Sequence, residues 1–150
     1  MLWNTKKSID HFDKKKAKDF FLSEKEMLRK INYKIRTVLD FGCASGRFIE
    51  VLESRFKNFE YTGYDIVKEQ IINAKNRYPK HKFFCKDIKL IKYKEKFDLV
   101  NAAGIILHEP IFENIIDIMI KASKQYILFD VKFANTKEHI LNISESYSAI

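Results

Sequence analysis

The 150-residue chain predicts an α/β domain built on a doubly wound, mainly parallel sheet. Three observations lead to that class. Short β-prone stretches alternate with helix-periodic ones, the order of βαβ units. The length and a 46% hydrophobic content suit one ordinary core. An apolar run, "TVLDF", ends in an acid and a glycine-bearing turn, "GCASG", before a helical pattern resumes. Right-handed crossovers then put helices on both faces, and ligands bind past the carboxyl ends of the strands where the strand order reverses.

Residues 14–35 read as a helix with Phe20, Phe21, Met27, Leu28 and Ile31 as its apolar stripe. A buried strand follows at 37–42, then a helix at 46–57 with Phe48, Ile49, Leu52 and Phe56 on one face. Residues 61–66, "YTGYDI", are β-prone, and 68–78 is helical with Ile71, Ile72 and Ala74 inward, stopping before Pro79. Strands are expected at 82–87 and 97–102. Pro110 opens an apolar helix at 111–123. A fifth strand is expected at 126–132 and a helix at about 136–143. The domain division that follows is an N-terminal helical segment, 1–36, and a core, 37–150.

The net charge is +8, with Lys far outnumbering Arg; only Arg29, Arg36, Arg47, Arg55 and Arg77 occur. Together with abundant Ile, Asn, Phe and Tyr, this bias fits an A- and T-rich coding sequence more simply than a phosphate-gripping surface, where Arg usually clusters. Nucleic acid stays open as a partner but is not favoured. Cys43 and Cys85 have no metal-type spacing, so no metal is expected. The N-terminus lacks an apolar leader and no run reaches membrane-spanning length, which points to a cytoplasmic protein with reduced thiols.

The turn after the first strand carries the chemistry. Gly42 and Gly46 let the backbone bend tightly and approach a ligand, and the next helix offers free N–H groups. The pattern is D-x-G-x-x-x-G, with Ala44 where a middle glycine would stand. That is not the G-x-G-x-x-G of dinucleotide folds, which counts against a nicotinamide-dependent reductase, and no Gly-Lys-Ser/Thr follows as in a P-loop. Asp40 at the strand end would repel phosphate and suits a cationic or amine-bearing ligand.

At these residues the chain resembles the class I S-adenosylmethionine-dependent methyltransferases, with the Rossmann-like sheet of that family. "VLDFGCASGRF" is similar to the family's first motif, and the resemblance runs from about Val38 to Lys132. It implies S-adenosyl-L-methionine as cofactor, held by Asp40, Gly42, Cys43, Ala44 and Gly46 at the first turn. It implies Asp65, with Ile66 beside it, as the acid for the ribose hydroxyls; a carboxylate can accept both hydrogen bonds of a vicinal diol. Asp87 and Ile88 match the adenine-binding acid and the residue packed by the ring. Asn101 and Ala102, in "FDLVNAAGIILHEP", match the loop that lines the cofactor. Asp98, at the start of that strand, reads as structural. Ala44 departs from the usual glycine and crowds the cofactor's amino-acid end.

Methyl transfer is an in-line displacement that depends above all on bringing two groups together. If the acceptor is an alcohol, His108 is the best-placed catalytic base by location and pKa range, with Glu109 behind it. No Asn-Pro-Pro-Tyr follows the fourth strand, and the "LH" element is similar to branches acting on small molecules, so a small metabolite or a glycan is the favoured acceptor. An RNA methyltransferase, with the lysines of 14–18 and 80–96 as its footprint, and a cofactor-binding domain without turnover stay as alternatives. Trp3, Phe12, Phe20 and Tyr33 belong to a segment that often lids the site in this family. The family's sheet usually ends in a reversed hairpin, for which the residues after the fifth strand leave hardly any room. The expectation is a sheet lacking that hairpin, with an open edge through which copies could associate.

Overall fold

A computed structural model describes residues 4–20, 22–109 and 111–131. The expected helix at 136–143, all residues from 132 onward, Phe21, Pro110 and Trp3 lie outside the described residues.

Five parallel strands form one sheet: β1 (Thr37–Phe41), β2 (Glu60–Asp65), β3 (Lys82–Cys85), β4 (Phe97–Asn101) and β5 (Ser123–Leu128), in the order β3-β2-β1-β4-β5. The order reverses between β1 and β4, so the carboxyl ends of those strands flank the place where such sheets bind ligands. Side chains alternate across the central strands, and both faces are apolar, as a sheet covered on two sides requires. Val38, Tyr61 and Leu99 pack on one face with Ile49 and Leu52 of α3 (Phe48–Glu53) and Ile71 and Ala74 of α4 (Lys68–Arg77). Leu39, Phe41 and Val100 pack on the other with Ile115 and Met119 of α5 (Phe112–Ala122).

The N-terminal segment differs from the single helix expected at 14–35. A first helix, α1 (Lys6–Lys14), is capped by Thr5, whose hydroxyl oxygen accepts from the Ser8 N–H at 3.2 Å. The chain then runs extended through Lys15 and Lys16 and makes a 3-10 turn at Ala17–Asp19. The Asp19 carboxylate accepts from the Lys16 N–H at 2.9 Å, a local bond that competes with helix continuation. A second helix, α2 (Leu22–Arg29), ends in the tight bonds Lys30 N–H to Met27 O and Ile31 N–H to Leu28 O. Ile31 and Ile35 beyond it are buried without being helical.

Other boundaries shift less. Helix α3 is shorter than the expected 46–57, because its first turn uses 3-10-type bonds from Ile49 to Gly46 and Glu50 to Arg47. Ile72 points outward, 47% exposed, while its neighbour Ile71 is buried. Strand β5 begins at Ser123, directly after α5, and not at 126. Its register on β4 slips between Phe97 and Leu99, and that bulge absorbs one extra residue on β5. Asp98 staples the amino end of the sheet: its carboxylate accepts from the backbone of Arg36 (2.8 Å) and Thr37 (3.0 Å), and its own N–H donates to the Thr37 hydroxyl at 3.0 Å. Burial pushes the Asp98 carboxyl up, but these N–H groups and Lys124 outweigh it and hold it below the usual range.

Candidate functional site

The glycine turn leaves β1 and hooks onto β2. The N–H groups of Gly42 (2.8 Å) and Cys43 (3.1 Å) both donate to the Tyr64 carbonyl. Gly42 needs its left-handed φ of +65°, and a Cβ there would come 2.6 Å from the Ile105 side chain. Ala44 also adopts positive φ, +45°, a conformation that costs an alanine about 1 kcal/mol. The Ala44 N–H donates to Asp65 at 2.9 Å, which ties the turn to the end of β2. The missing middle glycine is thus accommodated by a tether from the neighbouring strand.

Asp65 is half-buried and accepts twice from backbone, from Ala44 and from the Val67 N–H at 2.8 Å. Burial pushes its carboxyl up, opposed by those N–H groups. An ionised carboxylate has about four acceptor positions, so two remain for a diol. Ile66 beside it is 45% exposed, an apolar surface at the strand end. Beyond β3, Asp87 caps a 3-10 turn by accepting from the Lys89 N–H at 2.9 Å, and Ile88 is buried.

Asp40 faces inward. It is 2% exposed, and its carboxylate accepts from the Tyr61 hydroxyl and, at 2.6 Å, from the Asn101 side-chain amide. Burial raises its pKa to about 7 despite those two hydrogen bonds, with Asp65 and Glu24 adding to the rise. The Asn101 oxygen in turn accepts from the Ala103 N–H at 3.4 Å. Ala102 is fully buried, and its N–H donates to the Leu128 carbonyl. Gly104 borders open space: an added Cβ would meet nothing within 4 Å. Its N–H donates to Asp130 at 2.6 Å. His108 ends a 3-10 turn, Ile106–His108, and is half-buried. Glu109 pairs with Lys89 at 2.8 Å, and that bond raises the Lys89 pKa.

The strand ends therefore carry two hydrogen-bonded groups side by side, the glycine turn with Asp65 and Asp40 with Asn101, joined through the backbone of residues 40–44. Asp87 and His108 sit on separate loops at the same end of the sheet. Cys43 is buried in the turn, with its thiol pushed well above the ordinary range by burial, and Cys85 is exposed. Among the described residues no group of His, Cys, Asp or Glu is arranged to hold a metal ion, and no helix is long and apolar enough to cross a membrane.

Several contributors escaped the sequence reading. Helix α1 lies against the turn and α4: the Ser45 hydroxyl donates to the Phe12 carbonyl at 3.1 Å, Arg47 donates to the Lys15 carbonyl, and Arg77 pairs with Asp13 at 2.7 Å. Gly63 is a second. An added Cβ would lie 2.6 Å from the Cys43 sulfur and 3.0 Å from Phe83, so this strand position admits the turn only as glycine. A lone glycine inside a strand pattern is the signal that could have found it. Tyr61 and Asp130 carried no motif.

Comparison with known proteins agrees with the topology. Residues 34–147 match the family described as "Methyltransferase domain". Protein 235L of Invertebrate iridescent virus 6, named as a methyltransferase, is 30% identical over 134 residues, covering 85% of this chain and 51% of the viral protein. Among solved structures, the O-methyltransferase of a trans-AT PKS multienzyme of Brevibacillus brevis, in complex with S-adenosyl-L-homocysteine, superposes with a TM-score of 0.69. It is 19% identical over 83% of this chain and 45% of its own. CalS10, an S-adenosylmethionine-bound amino pentose methyltransferase of Micromonospora echinaspora, gives 0.65 at 16% identity, over 85% of this chain and 56% of its own. The chain thus spans about half the length of these relatives. With the match extending from before β1 to beyond β5, the chain belongs to the methyltransferase-domain family.

Proposed function

We propose that this domain binds S-adenosylmethionine across the carboxyl ends of β1, β2 and β4 and transfers its methyl group to a small-molecule or glycan acceptor. One observation carries the reading: the Ala44 N–H to Asp65 hydrogen bond joins a left-handed glycine turn to a strand-end carboxylate at the point where the strand order reverses. The donor set fits the group. Asp65 keeps acceptor capacity for ribose hydroxyls, Ile66 offers an apolar edge to the base with Asp87 beyond it for the adenine amino group, and Asn101 and Ala102 bring the β4 loop alongside. When bound, the cofactor supplies a sulfonium-activated methyl group. The chain's own residues position it, exclude water and, for an alcohol acceptor, take up a proton at His108. Helix α1 serves as a lid over the turn, held through Ser45, Arg47 and the Arg77–Asp13 pair. Two of the neighbours named above hold the cofactor or its demethylated product, and their acceptors include a sugar, which supports the acceptor class.

RNA is the second reading, favoured by one feature: Lys80, Lys82, Lys86, Lys89, Lys92, Lys94 and Lys96 are all exposed, on β3, at its flanks and along the segment that leads into β4. Calorimetric titration with S-adenosylmethionine and S-adenosylhomocysteine, followed by a methyl-release assay on sugar, small-alcohol and RNA acceptors, tests both. Turnover on RNA alone, with affinity falling steeply as salt rises, would replace the small-molecule reading. Binding without turnover on any acceptor would leave a cofactor-binding domain.

A further inference from the structure

The least expected group in the site is a phenol. Tyr61 sits near the start of β2, four residues before the strand-end Asp65, and is 1% exposed. In the parallel register it lies beside Val38, and Asp40 lies beside Gly63 and Asn101. Gly63 has no side chain to intervene, so the Tyr61 ring can run along that face and reach the Asp40 carboxylate. Three adjacent strands are then linked by side chains: Tyr61 on β2 to Asp40 on β1, and Asp40 to Asn101 on β4. Asp40 is only 2% exposed, and its carboxylate is engaged by Tyr61 and Asn101, so its charge acts through the groups it holds. It orients the Asn101 amide, whose oxygen meets the Ala103 N–H in the loop leading to Gly104.

We propose that Tyr61 is a positioning residue for the nucleoside-sulfonium site: by donating to Asp40 it favours the ionised carboxylate and so fixes the ends of β1 and β4 against the ligand. This rests on the reading that the adenosyl cofactor binds there. An ionised Asp40 accepts from both Tyr61 and Asn101. A proton on the Asp40 oxygen that faces Tyr61 sets two O–H donors against each other, so the phenol has to turn its own proton away, while the other oxygen still accepts from Asn101. The site is then competent when Asp40 is charged. The ionisable groups around it are Glu24 from α2, Cys43 in the turn, Asp65 at the end of β2, Tyr78 at the end of α4 and His81, whose Nδ1 accepts from the Tyr61 N–H. Burial lowers the His81 pKa, so that group titrates on the acid side of the window that matters.

The test uses the whole chain and S-adenosylhomocysteine as probe, with its dissociation constant measured from pH 5.5 to pH 9. Wild type should bind tightly at high pH and weaken below a midpoint near neutrality. Tyr61→Phe keeps the ring and removes one charge-assisted hydrogen bond, worth about tenfold in the Asp40 equilibrium. Its midpoint should move to higher pH. Affinity should fall about fivefold at pH 7 and match wild type within about twofold at pH 9. Asp40→Asn should abolish the midpoint, and Tyr61→Phe added to it should change nothing further. A packing role alone would leave the profile of Tyr61→Phe superimposed on wild type, and that result overturns the proposal. If Tyr61→Phe does not fold, a neutral midpoint that survives Asp40→Asn overturns it equally. A wild type that ignores the probe at every pH removes the binding reading, and this inference with it.

Discussion

Replacing Gly63 by alanine tests the packing beneath the turn most sharply. Gly63 does not require left-handed backbone, so the substitution acts through space alone. The new Cβ would lie 2.6 Å from the Cys43 sulfur, 2.9 Å from its Cβ and 3.0 Å from a Phe83 ring carbon. Real Cβ atoms do not tolerate such approaches, and all three neighbours belong to buried residues with little freedom to retreat. Overpacking of this kind costs about 1–3 kcal/mol. For a chain of this size that is a fall in Tm of roughly 3–9 °C. The turn should move as well, because Cys43 has to yield, and affinity for S-adenosylhomocysteine should drop with it. Cys43→Ala removes the 2.6 Å clash, so the double variant should recover part of the loss, a positive coupling in a double-mutant cycle. Chemical denaturation with circular dichroism, and calorimetry with the ligand, read both effects. A Gly63→Ala protein within about 1 °C of wild type, or a double variant whose losses simply add, refutes the packing argument.

Asp98→Ala should cost about 2–3 kcal/mol by orphaning the Arg36 and Thr37 N–H groups, yet leave ligand affinity unchanged, as denaturation and calorimetry side by side would record. Asp40 makes a pH prediction. Its pKa of about 7 in the fold lies above the ordinary 3.8, so its stabilising contribution is complete below about pH 4 and is lost as pH rises toward 7. Wild type should therefore lose up to roughly 4 kcal/mol relative to Asp40→Asn between pH 4 and pH 8, read from denaturation midpoints across that range. Asp13→Asn breaks the partly exposed pair with Arg77 and should lower global stability by no more than about 1 kcal/mol while speeding proteolysis within α1. Proteolysis rates unchanged by that substitution would mean that α1 is held by its buried Ile9 rather than by the ion pair.

The sheet was legible because its strands are short, apolar and punctuated, and because βαβ order leaves few topologies. The glycine turn stood out through its own residues, and Asp65 and Asn101 through the resemblance to a known family's motifs. The N-terminal segment was not legible for a physical reason. Its apolar residues fit a helical period, but Asp19 captures the Lys16 N–H and Arg47 captures the Lys15 carbonyl, and neither bond leaves a periodic trace. The start of β5 was hidden by a bulge, which strand propensity does not encode. Asp40 was visible as an acid but not as a buried one. Its position in the central strand buries it, and its buried partner is Tyr61, a residue that sequence alone assigns to ordinary strand packing. The Gly63 vacancy was written in "YTGYDI", yet its reason, the Cys43 side chain above it, belongs to tertiary structure.

The central claim is that the glycine turn and the Asp65 carboxylate together hold an adenosyl ligand. Calorimetric titration of wild type and Asp65→Ala with S-adenosylhomocysteine at pH 8 addresses it directly. Saturable binding by wild type, weakened at least about tenfold in the variant, is the predicted result. Equal affinity of the two proteins, or no heat from wild type at millimolar ligand, contradicts it.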